Sequence, residues 1–427
     1  MPSNPLAFDN EEEAKQPFLS SIRLSGLLSF PPDSPTIKLT PLNVLIGPNG
    51  SGKSNLIEAI ELLHATPVAL AAAIREGGTA AEWKWKGEPV AEHSTVEVTV
   101  QGQKAIPDLR YRLSFAPSGQ RLEVVDEVVE EIEKRYPTEP DVYFYYRYQQ
   151  GRPAINVRQA TTTTTPQAGT QTESQPFRSN GARGFRQLTR DSLVPDESVL
   201  SQRKDPDLYP ELFWLGDHFG RIQSFRNWTF GRAAPLRNAQ RTDQQTDELL
   251  PHSDNLGLIL NELQNSNAVV EFNRLMSRFL PRYERFGLRI RGNTVQFNLY
   301  ERGLATPVPA TRLSDGTIRF MAILALLLTP SPPPLLCIDE PELGLHPDAV
   351  SLLADLLVAA SNRMQLIVTT HSDVLVSSLT EHANSVLVCD HQNGTVLERV
   401  EPDKLSNWLD EYRLGDIWRI GQLGGNP

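Results

Sequence analysis

The chain has 427 residues, of which 39% are hydrophobic and 22% charged, and it carries a formal net charge of −11. This length is enough for two or three domains, or for one large domain with an insertion, so a chain too small to bury a sizeable core is excluded. The negative charge argues against non-specific binding of polyanions over the whole surface, so any contact with nucleic acid requires a local basic cluster.

The cysteines and the apolar segments indicate a soluble, cytoplasmic protein without a membrane partner. Cys337 and Cys389 lie far apart in apolar, strand-like runs, a pattern typical of buried, reduced thiols. Residues 1–16 contain three consecutive glutamates instead of the basic region and apolar core of a signal peptide. The longest apolar run, residues 320–328, is too short to span a bilayer and is predicted to be a buried helix.

The first predicted elements surround a glycine-rich loop. Residues 1–18 are polar and predicted to be flexible. Two strand-like segments follow between residues 22 and 39, and a buried strand at 42–46 leads into the sequence GPNGSGKS at residues 47–54. An apolar-faced helix comes next. This strand, loop and helix order is the context that a phosphate-binding loop of the form GxxxxGKS requires.

The chemistry of phosphate binding explains the residue types in this loop. Gly47, Gly50 and Gly52 allow backbone conformations that turn successive N–H groups toward phosphate oxygens, and the following helix adds the positive end of its dipole. Lys53 is positioned to reach the β- and γ-phosphates, and the Ser54 hydroxyl to ligate Mg²⁺. The predicted nucleotide-binding residues of the loop are Gly47, Pro48, Asn49, Gly50, Ser51, Gly52, Lys53, Ser54 and Asn55.

The middle of the chain predicts an antiparallel β lobe followed by an insertion. Alternating patterns between residues 94 and 157 indicate several strands, and the tyrosine-rich residues 142–148 are predicted to form a hairpin with 154–157. These tyrosines are typical of a sheet face that packs on its neighbours, although such side chains can also hold bases or a partner. Residues 159–180 are rich in Thr, Gln and Ser and are predicted to be a long loop or a disordered insertion.

The last third predicts the remainder of a nucleotide site. An apolar strand ends in Asp339 and Glu340, which places a Mg²⁺-binding carboxylate beside a candidate base for the attacking water. A second buried strand ends in His371, where it can hydrogen-bond the γ-phosphate or the attacking water. Upstream, LSDGT at residues 313–317 precedes an apolar helix, a pattern that by itself is typical of a capped helix.

The order of these motifs resembles the ABC-type ATPase heads of the RecF, SMC and OLD group. The phosphate loop, LSDGT, DEPE, GLHP and TTHS carry the resemblance, which covers residues 22–63 and 311–390. The chain is similar to stand-alone bacterial proteins of the "AAA family ATPase" kind with a RecF-like head. The resemblance implies an α/β fold, namely a P-loop NTPase head with a parallel core sheet, an antiparallel β lobe and a mixed insertion.

The predicted domain boundaries follow from the motifs and the patterns between them. Residues 255–279 are predicted to be helical and 286–300 to form two short strands, so the second half of the head includes both. The predicted units are a flexible N-terminus (1–18), the first half of the head (19–84), the antiparallel β lobe (85–158), the insertion with its low-complexity loop (159–250) and the second half of the head (251–427).

The resemblance also implies a role for each motif. Residues 47–54 would be Walker A, and Asp339 and Glu340 would be Walker B with its catalytic glutamate. Ser314 and Gly316, in the signature loop, would contact the γ-phosphate bound to a second subunit, so ATP and Mg²⁺ would bring two chains together as a head-to-tail homodimer. Residues 341–346 would be the D-loop. The implied catalytic residues are Glu340, His371 and Lys53, and the implied metal ligands are Ser54, Asp339 and Gln202.

Gln202 enters this set because a glutamine between the two halves of such heads couples the nucleotide to the accessory lobe. Two departures from the group also matter. No sustained heptads occur between Walker A and the signature, so no coiled-coil arm is expected. Only 56 residues follow His371, too few for the nuclease domain of OLD proteins, so intrinsic nuclease activity is not expected.

The predicted DNA contacts lie in a basic stretch near the middle of the chain. Residues 221–241 contain no acidic residue and three aromatic ones, a mixture that pairs phosphate contacts with base stacking. The alternative is that these arginines contact the nucleotide or brace neighbouring lobes. A second basic region spans residues 178–190. The arginines predicted to contact DNA are Arg221, Arg226, Arg232 and Arg237.

Three classes of function remain open at this point. The first is an ATP-switched dimer that acts on DNA in repair or in defence against phage or plasmids. The second is an ATP-dependent regulator that binds a separate effector protein, such as a nuclease. The third, a transporter's nucleotide-binding subunit, is disfavoured because the signature is LSDGT instead of LSGGQ.

Overall fold

The computed structural model describes residues 16–103, 105–119, 121–138, 141–149, 151–158, 183–226, 228–409 and 411–424. The predicted low-complexity loop lies outside the described residues, and so does nearly all of the predicted flexible N-terminus. The strands, in chain order, are β1 (Leu19–Ser25), β2 (Ile37–Lys38), β3 (Leu42–Ile46), β4 (Ser94–Val100), β5 (Leu109–Ser118), β6 (Arg121–Glu131), β7 (Phe144–Gln149), β8 (Arg152–Arg158), β9 (Arg183–Gln187), β10 (Gln223–Phe225), β11 (Gln240–Arg241), β12 (Tyr283–Arg291), β13 (Thr294–Glu301), β14 (Val308–Pro309), β15 (Leu335–Asp339), β16 (Gln365–Thr369), β17 (Val386–His391) and β18 (Thr395–Arg399). The α-helices are α1 (Lys53–Ala65), α2 (Leu70–Glu76), α3 (Val199–Gln202), α4 (Pro210–Gly220), α5 (Leu256–Gln264), α6 (Ala268–Phe279), α7 (Asp315–Leu327), α8 (Pro347–Ser361), α9 (Asp373–Ser378), α10 (Ser406–Leu409) and α11 (Leu414–Arg419).

A six-stranded sheet in the order β10-β15-β16-β3-β17-β18 forms the centre of the head. The first five strands run parallel, and β18 closes the edge as an antiparallel partner of β17. Strand β3 comes from the first half of the chain but lies between β16 and β17 of the second half. The core sheet is therefore assembled from both ends of the sequence.

Both faces of this central sheet are buried, as expected for parallel strands covered by helices. Along β3, Val44 and Ile46 point into one hydrophobic core, which also contains α5 to α9, while Leu45 points into a second core with α1, α2 and α4. Both cysteines belong to this second core and are buried free thiols, which confirms the interpretation from their apolar surroundings.

An eight-stranded antiparallel sheet, in the order β2-β1-β4-β5-β6-β7-β8-β9, packs on the second core. Strand β1 pairs with β4, Ile22 opposite Val98, so the sheet draws on residues on both sides of position 85. The predicted hairpin forms between β7 and β8, with Gln149 opposite Arg152. Tyr145 and Tyr146 are no more than 2% exposed, so the tyrosines of this strand pack inside the protein.

The signature helix packs against α5, α6 and α8 in the same hydrophobic core as a smaller sheet of β11, β13, β12 and β14. This helix, α7, is buried over most of its length, as predicted for residues 320–328. The predicted strand pair at 286–300 is the β12–β13 hairpin. The predicted helix at 255–279 is instead two helices, because α5 ends at Gln264 and α6 begins at Ala268. Within the described part of the chain, no helix is both long and apolar enough to cross a membrane.

Candidate active site

The phosphate loop connects β3 to α1 and depends on glycine at two of its positions. Gly47 has φ of 143°, and a Cβ there would lie 2.1 Å from the carbonyl oxygen of Cys389. Gly52 has φ of 103°, and its Cβ would lie 1.9 Å from Oγ1 of Thr395. Any other residue would strain the backbone and collide with neighbouring atoms. The loop is therefore shaped by strand β17 and by the start of β18, which lie behind it.

A group of hydroxyls and an amide holds the phosphate loop from behind. Thr395 donates to the carbonyl oxygen of Ser51 at 2.8 Å, and its hydroxyl lies 2.6 Å from that of Ser29. Asn55 donates to Ser29 at 2.7 Å. Sequence reasoning missed Ser29 and Thr395, since they are 366 residues apart and belong to no motif. Asn55, predicted to bind nucleotide, belongs to this support.

Lys53 lies at the first position of α1 with its ammonium group folded over the loop. Its Nζ donates to the carbonyl oxygens of Gly47 at 2.7 Å and Pro48 at 2.9 Å. Burial lowers the pKa of Lys53, although the nearby acids Glu340 and Asp339 oppose that shift. Lys53 is 6% exposed as a residue, and an ammonium group in that setting that donates to neutral carbonyls has capacity for an anion. The lysine, the positive-φ glycines and the N-terminus of α1 together fit a nucleoside triphosphate.

Asp339 is the last residue of β15. This strand pairs with β16, which in turn pairs with β3, the strand that leads into the phosphate loop. The register pairs Asp339 with Thr369, and the Thr369 hydroxyl donates to the Asp339 carboxylate. Ser54, at the second position of α1, is exposed. A carboxylate and a hydroxyl at the same edge of a parallel sheet are suitable oxygen ligands for Mg²⁺ bound with a triphosphate. Among the described residues no group of three or more His, Cys, Asp or Glu is arranged to hold a metal ion by itself.

Glu340 adopts a backbone conformation that is uncommon for its residue type. Its φ is 45°, and its N–H donates at 3.2 Å to the carbonyl oxygen of Thr369. Such a conformation costs about 1–3 kcal/mol and is found preferentially at functional sites. Its Oε1 lies 3.5 Å from Nε2 of His371, and both side chains are about one third exposed. The bend after β15 therefore turns the Glu340 carboxylate toward the end of β16.

The surroundings of His371 lower the pKa of its imidazole and so favour the neutral form. Burial lowers its pKa from the ordinary value, and the positive charge of Lys53 lowers it further. Glu340 and Asp339 oppose the shift without reversing it. A neutral imidazole can accept or donate one hydrogen bond at the nitrogen that faces Glu340.

Glu342 accepts hydrogen bonds from His371 and from the residue before it. Its Oε1 accepts hydrogen bonds from the Thr370 hydroxyl at 2.5 Å and from the His371 N–H at 3.1 Å. Its Oε2 is buried without a hydrogen-bond partner among the described residues, and burial raises the pKa of the carboxyl group. Sequence reasoning placed Glu342 in the D-loop without a role of its own, although the DEPE sequence marks its position.

The signature loop packs against the D-loop of the same chain. Ser314 caps α7 by accepting from the Thr317 N–H at 3.1 Å, and it is exposed. A Cβ on Gly316 would lie 2.8 Å from the carbonyl oxygen of Gly344, so the two loops touch through their backbones. In the same helix, Arg319 donates to the carbonyl oxygen of Glu340 at 3.2 Å. The signature helix therefore contacts the bend that orients Glu340.

The structure does not bring Gln202 to this site, which corrects the expectation for that residue. Its side-chain amide is engaged with the backbone, accepting from Val194 at 2.8 Å and donating to Glu197 at 2.9 Å. Gly216 of α4 lies close to Leu200 of α3 and to Pro67, just past the end of α1. Because α1 has 13 residues, the phosphate loop lies about 20 Å away, at the opposite end of the helix.

The structure also corrects part of the predicted DNA contact. Arg237 has a side chain that is 2% exposed, donates to the carbonyl oxygens of Phe230, Ala310 and Leu313, and pairs with Asp315. It is a structural brace behind the signature loop and cannot reach DNA. Arg226 forms an ion pair with Glu61 at 3.0 Å, and Arg221 donates to the carbonyl oxygen of Pro332. Arg232 is exposed.

Comparison with known proteins gives matches that differ in extent. A family model described as "AAA domain, putative AbiEii toxin, Type IV TA system" matches residues 42–377. The "Old nuclease" of Escherichia phage P2 is 39% identical over 72 residues. That match covers 17% of this chain and only 12% of the phage protein, so the chain spans a small part of this relative's length.

Two solved structures share the fold over nearly the whole chain. An SMC head bound to the C-winged helix domain of ScpA has a TM-score of 0.55 with 14% identity, over 91% of this chain and 99% of that one. An Smc head domain with an extended coiled coil, bound to the C-terminal domain of ScpA and derived from Pyrococcus furiosus, has a TM-score of 0.53 with 14% identity, over 92% and 99%. The chain therefore belongs to the AAA domain family that matches residues 42–377, and its fold is that of an ABC-type, SMC-like ATPase head.

Proposed function

We propose that this protein binds Mg²⁺-ATP and hydrolyses it. The observation that carries this proposal is the convergence of Lys53, Asp339, Glu340 and His371, which span more than 300 positions in sequence, at one edge of the parallel strands β3, β15 and β16. Binding and hydrolysis of a triphosphate require a cation at the phosphates and carboxylates at the metal ion and the attacking water, and these residues supply both.

Each residue has a distinct part in the proposed reaction. Lys53 and the loop N–H groups bind the phosphates, and Ser54 and Asp339 would hold Mg²⁺, which neutralises charge on the phosphate oxygens when bound. Glu340 accepts the proton of the attacking water. His371, whose neutral form is favoured because burial lowers its pKa, faces Glu340 and hydrogen-bonds the same water or the γ-phosphate.

We further propose that ATP joins two chains head to tail. Ser314 and Gly316 lie at the N-terminus of α7, Ser314 is exposed, and the positive end of a 13-residue helix dipole points outward there. The phosphate loop and this N-terminus belong to distant segments of the sequence. In the proposed dimer, the second chain completes the site by presenting the N-terminus of its α7 to the bound γ-phosphate.

The proposed target is DNA, in repair or in defence against phage or plasmids. Support comes from the partial similarity to a phage protein named a nuclease and from arginine-rich segments on a chain whose net charge is −11. Regulation of a separate effector protein is the second candidate. It is favoured by Trp408 and Tyr412, which are 37% and 45% exposed with rings 5.9 Å apart, because exposed aromatic pairs are enriched at protein interfaces.

The experiment that tests the proposal is sedimentation of the Glu340→Gln protein with Mg²⁺-ATP, with and without duplex DNA. We expect this variant to bind ATP, to lose nearly all hydrolysis and to sediment as a dimer that carries DNA. Glu381→Gln, which changes an exposed carboxylate on another segment, is the matched control. A dimer that ignores DNA would favour the effector regulator, and hydrolysis at the wild-type rate would refute the role of Glu340.

A further inference from the structure

The outward face of the β12–β13 hairpin is an exposed, basic surface that the nucleotide site does not use. The two strands pair in register from Arg285 opposite Tyr300 to Arg291 opposite Thr294. One face is apolar, with Phe286 opposite Leu299 in the hydrophobic core. Because side chains alternate along a strand, the other face carries a different set of residues. These are Arg285, Gly287, Arg289 and Arg291 on β12, and Thr294, Gln296, Asn298 and Tyr300 on β13.

The charge of this face is opposite in sign to the net charge of the protein. Residues 285–300 contain three arginines and no acidic residue, in a chain with a net charge of −11. The neighbouring ion pairs lie at its borders, where Arg282 is 3.4 Å from Glu301 and Arg241 pairs with Asp243. Between residues 285 and 300 the face is therefore positive and free of carboxylates, and the exposed Glu284 lies next to its base.

The β12 strand is exposed to solvent at the end of the hairpin. Arg289, Ile290 and Arg291 are all exposed, and Ile290 is 61% exposed although it belongs to the apolar face. The turn at Gly292, with φ of 55°, connects the two strands at this tip. At this end of the hairpin β11 pairs with the other edge of β13, with Gln240 opposite Val295, and Val295 is 1% exposed. The exposed part of the tip is therefore the β12 edge, which presents Arg289 and Arg291 to solvent.

Arg285 adds a planar, ordered element at the base of the same face. Its guanidinium carbon lies 3.6 Å from the centre of the Tyr300 ring. A Cβ on Gly287 would lie 2.7 Å from the Tyr300 ring, so the glycine leaves room for this stacked pair. From Arg285 to Arg291 the strand spans about 20 Å at 3.4 Å per residue, a length over which a DNA duplex presents about a dozen phosphates.

We propose that this face, the arginine face, binds the phosphate backbone of duplex DNA, and that Gln296 and Asn298 lie toward the groove. Arginines without acidic neighbours complement a phosphate backbone, and amide side chains are suited to base edges. The inference rests on the proposed function in taking DNA as the target, and it assigns that target to a surface outside the arginine-rich residues 221–241.

The location of the arginine face connects DNA to the nucleotide site through a short path. Strand β13 pairs with β14, with Asn298 opposite Pro309. A short 3₁₀ turn, Ala310–Arg312, follows β14 and leads directly to the signature loop at Ser314. DNA bound at the arginine face would therefore contact the sheet that supports the loop presented to the second subunit.

The test is the binding of a fluorescent 30-base-pair duplex to the full chain carrying Arg289→Glu and Arg291→Glu, measured over a series of salt concentrations. We expect binding to weaken on the order of tenfold or more. The slope of log affinity against log salt should fall by about two, since each lost phosphate contact contributes about 0.9. The matched control is Arg75→Glu with Arg413→Glu, which makes the same charge change at two exposed arginines elsewhere.

Each outcome has a defined meaning. Equal weakening in the control pair would overturn the proposal, because overall charge would then explain the loss, and unchanged binding in the Arg289 and Arg291 variant would also overturn it. Binding of polyglutamate through these arginines, with no binding of duplex DNA by the wild type, would assign the face to an acidic protein and overturn DNA as the occupant. Circular dichroism and the unfolding midpoint check the fold, with Arg289→Gln and Arg291→Gln as a milder second variant.

Failure of this inference can be told apart from failure of the proposed function. ATP-dependent dimerisation of the Glu340→Gln protein is measured without DNA and does not involve the arginine face. If the dimer forms but the arginine variant binds DNA normally, only the surface assignment fails. If no dimer forms while the arginine variant still loses DNA, the surface assignment stands and the ATP-switched dimer fails.

Discussion

The carboxylate of Glu342 accepts the backbone N–H of His371 at 3.1 Å, and the same oxygen accepts the hydroxyl of Thr370. The D-loop thereby fixes the backbone at the end of β16, where His371 faces Glu340. Because Glu342 belongs to the loop that touches Gly316 of the signature, the contact joins the signature region to the histidine.

Replacing Glu342 by Ala should lower ATP turnover while ATP binding persists. The Thr370 hydroxyl and the His371 N–H would lose their acceptor, which costs about 1–3 kcal/mol for buried donors and loosens the imidazole. Glu342→Gln, which keeps an acceptor oxygen, should retain most of the turnover. Steady-state phosphate release and binding of a fluorescent ATP analogue measure the two effects. Equal turnover in the Ala and Gln variants would contradict a positioning role for Glu342.

Gly52→Ala should damage the phosphate loop more than Gly50→Ala. Both glycines have positive φ, so each alanine carries a backbone strain of about 1–2 kcal/mol. Only at position 52 would the added Cβ also collide, with Thr395 Oγ1 at 1.9 Å, whereas no atom lies within 4 Å at position 50. Urea unfolding and nucleotide binding measure the difference. Similar losses in both variants would show that Thr395 moves aside at no cost.

Arg237→Ala should destabilise the protein by about 1–3 kcal/mol, because it removes a buried side chain that donates to four carbonyl oxygens, those of Phe230, Gly231, Ala310 and Leu313. The other partner, Asp315, is 65% exposed, so water replaces its lost ion pair. Arg232→Ala, an exposed change in the same segment, should alter the free energy of unfolding by no more than about 0.5 kcal/mol. Urea denaturation measures both. A stable Arg237→Ala protein with weakened DNA binding would restore the DNA contact predicted from sequence.

Glu127 should make the wild-type protein less stable as pH rises. The carboxyl group is buried, accepts from Tyr111, Ser198 and the Val199 N–H, and burial raises its pKa to about 7. Since the pKa in the folded state lies above the unfolded value of about 4.5, its stabilising contribution is complete below pH 4.5 and is lost as pH rises through 7. The loss amounts to about 3 kcal/mol.

Glu127→Gln tests this pH dependence, because glutamine does not titrate. Between about pH 4.5 and 8, the free energy of unfolding of the wild type should fall relative to that of the variant. We expect this even if the variant is less stable at low pH because it loses the hydrogen bond from the Val199 N–H. Urea titrations at several pH values measure the difference. A constant difference across this range would mean that Glu127 keeps an ordinary pKa in the fold.

Short sequence patterns specify the local chemistry of the candidate site. The loop at residues 47–54, the acids Asp339 and Glu340, and His371 are each specified by a short pattern with its flanking strand, because phosphate binding demands glycines, a lysine and carboxylates at fixed offsets. The buried helix α7, the buried cysteines and the β7–β8 hairpin were predicted for the same reason, since apolar periodicity and turn residues act over a few positions.

Which residues from distant segments come together depends instead on how the chain packs in three dimensions. Thr395 and Ser29 meet behind the phosphate loop across 366 positions, Gln202 lies at the far end of α1, and Arg237 is buried instead of exposed. The basic face of β12 and β13 also required the strand register, because the sequence alone does not say which side of a short hairpin is covered. Contacts between distant segments depend on how whole sheets and helices pack, and no local pattern encodes that packing.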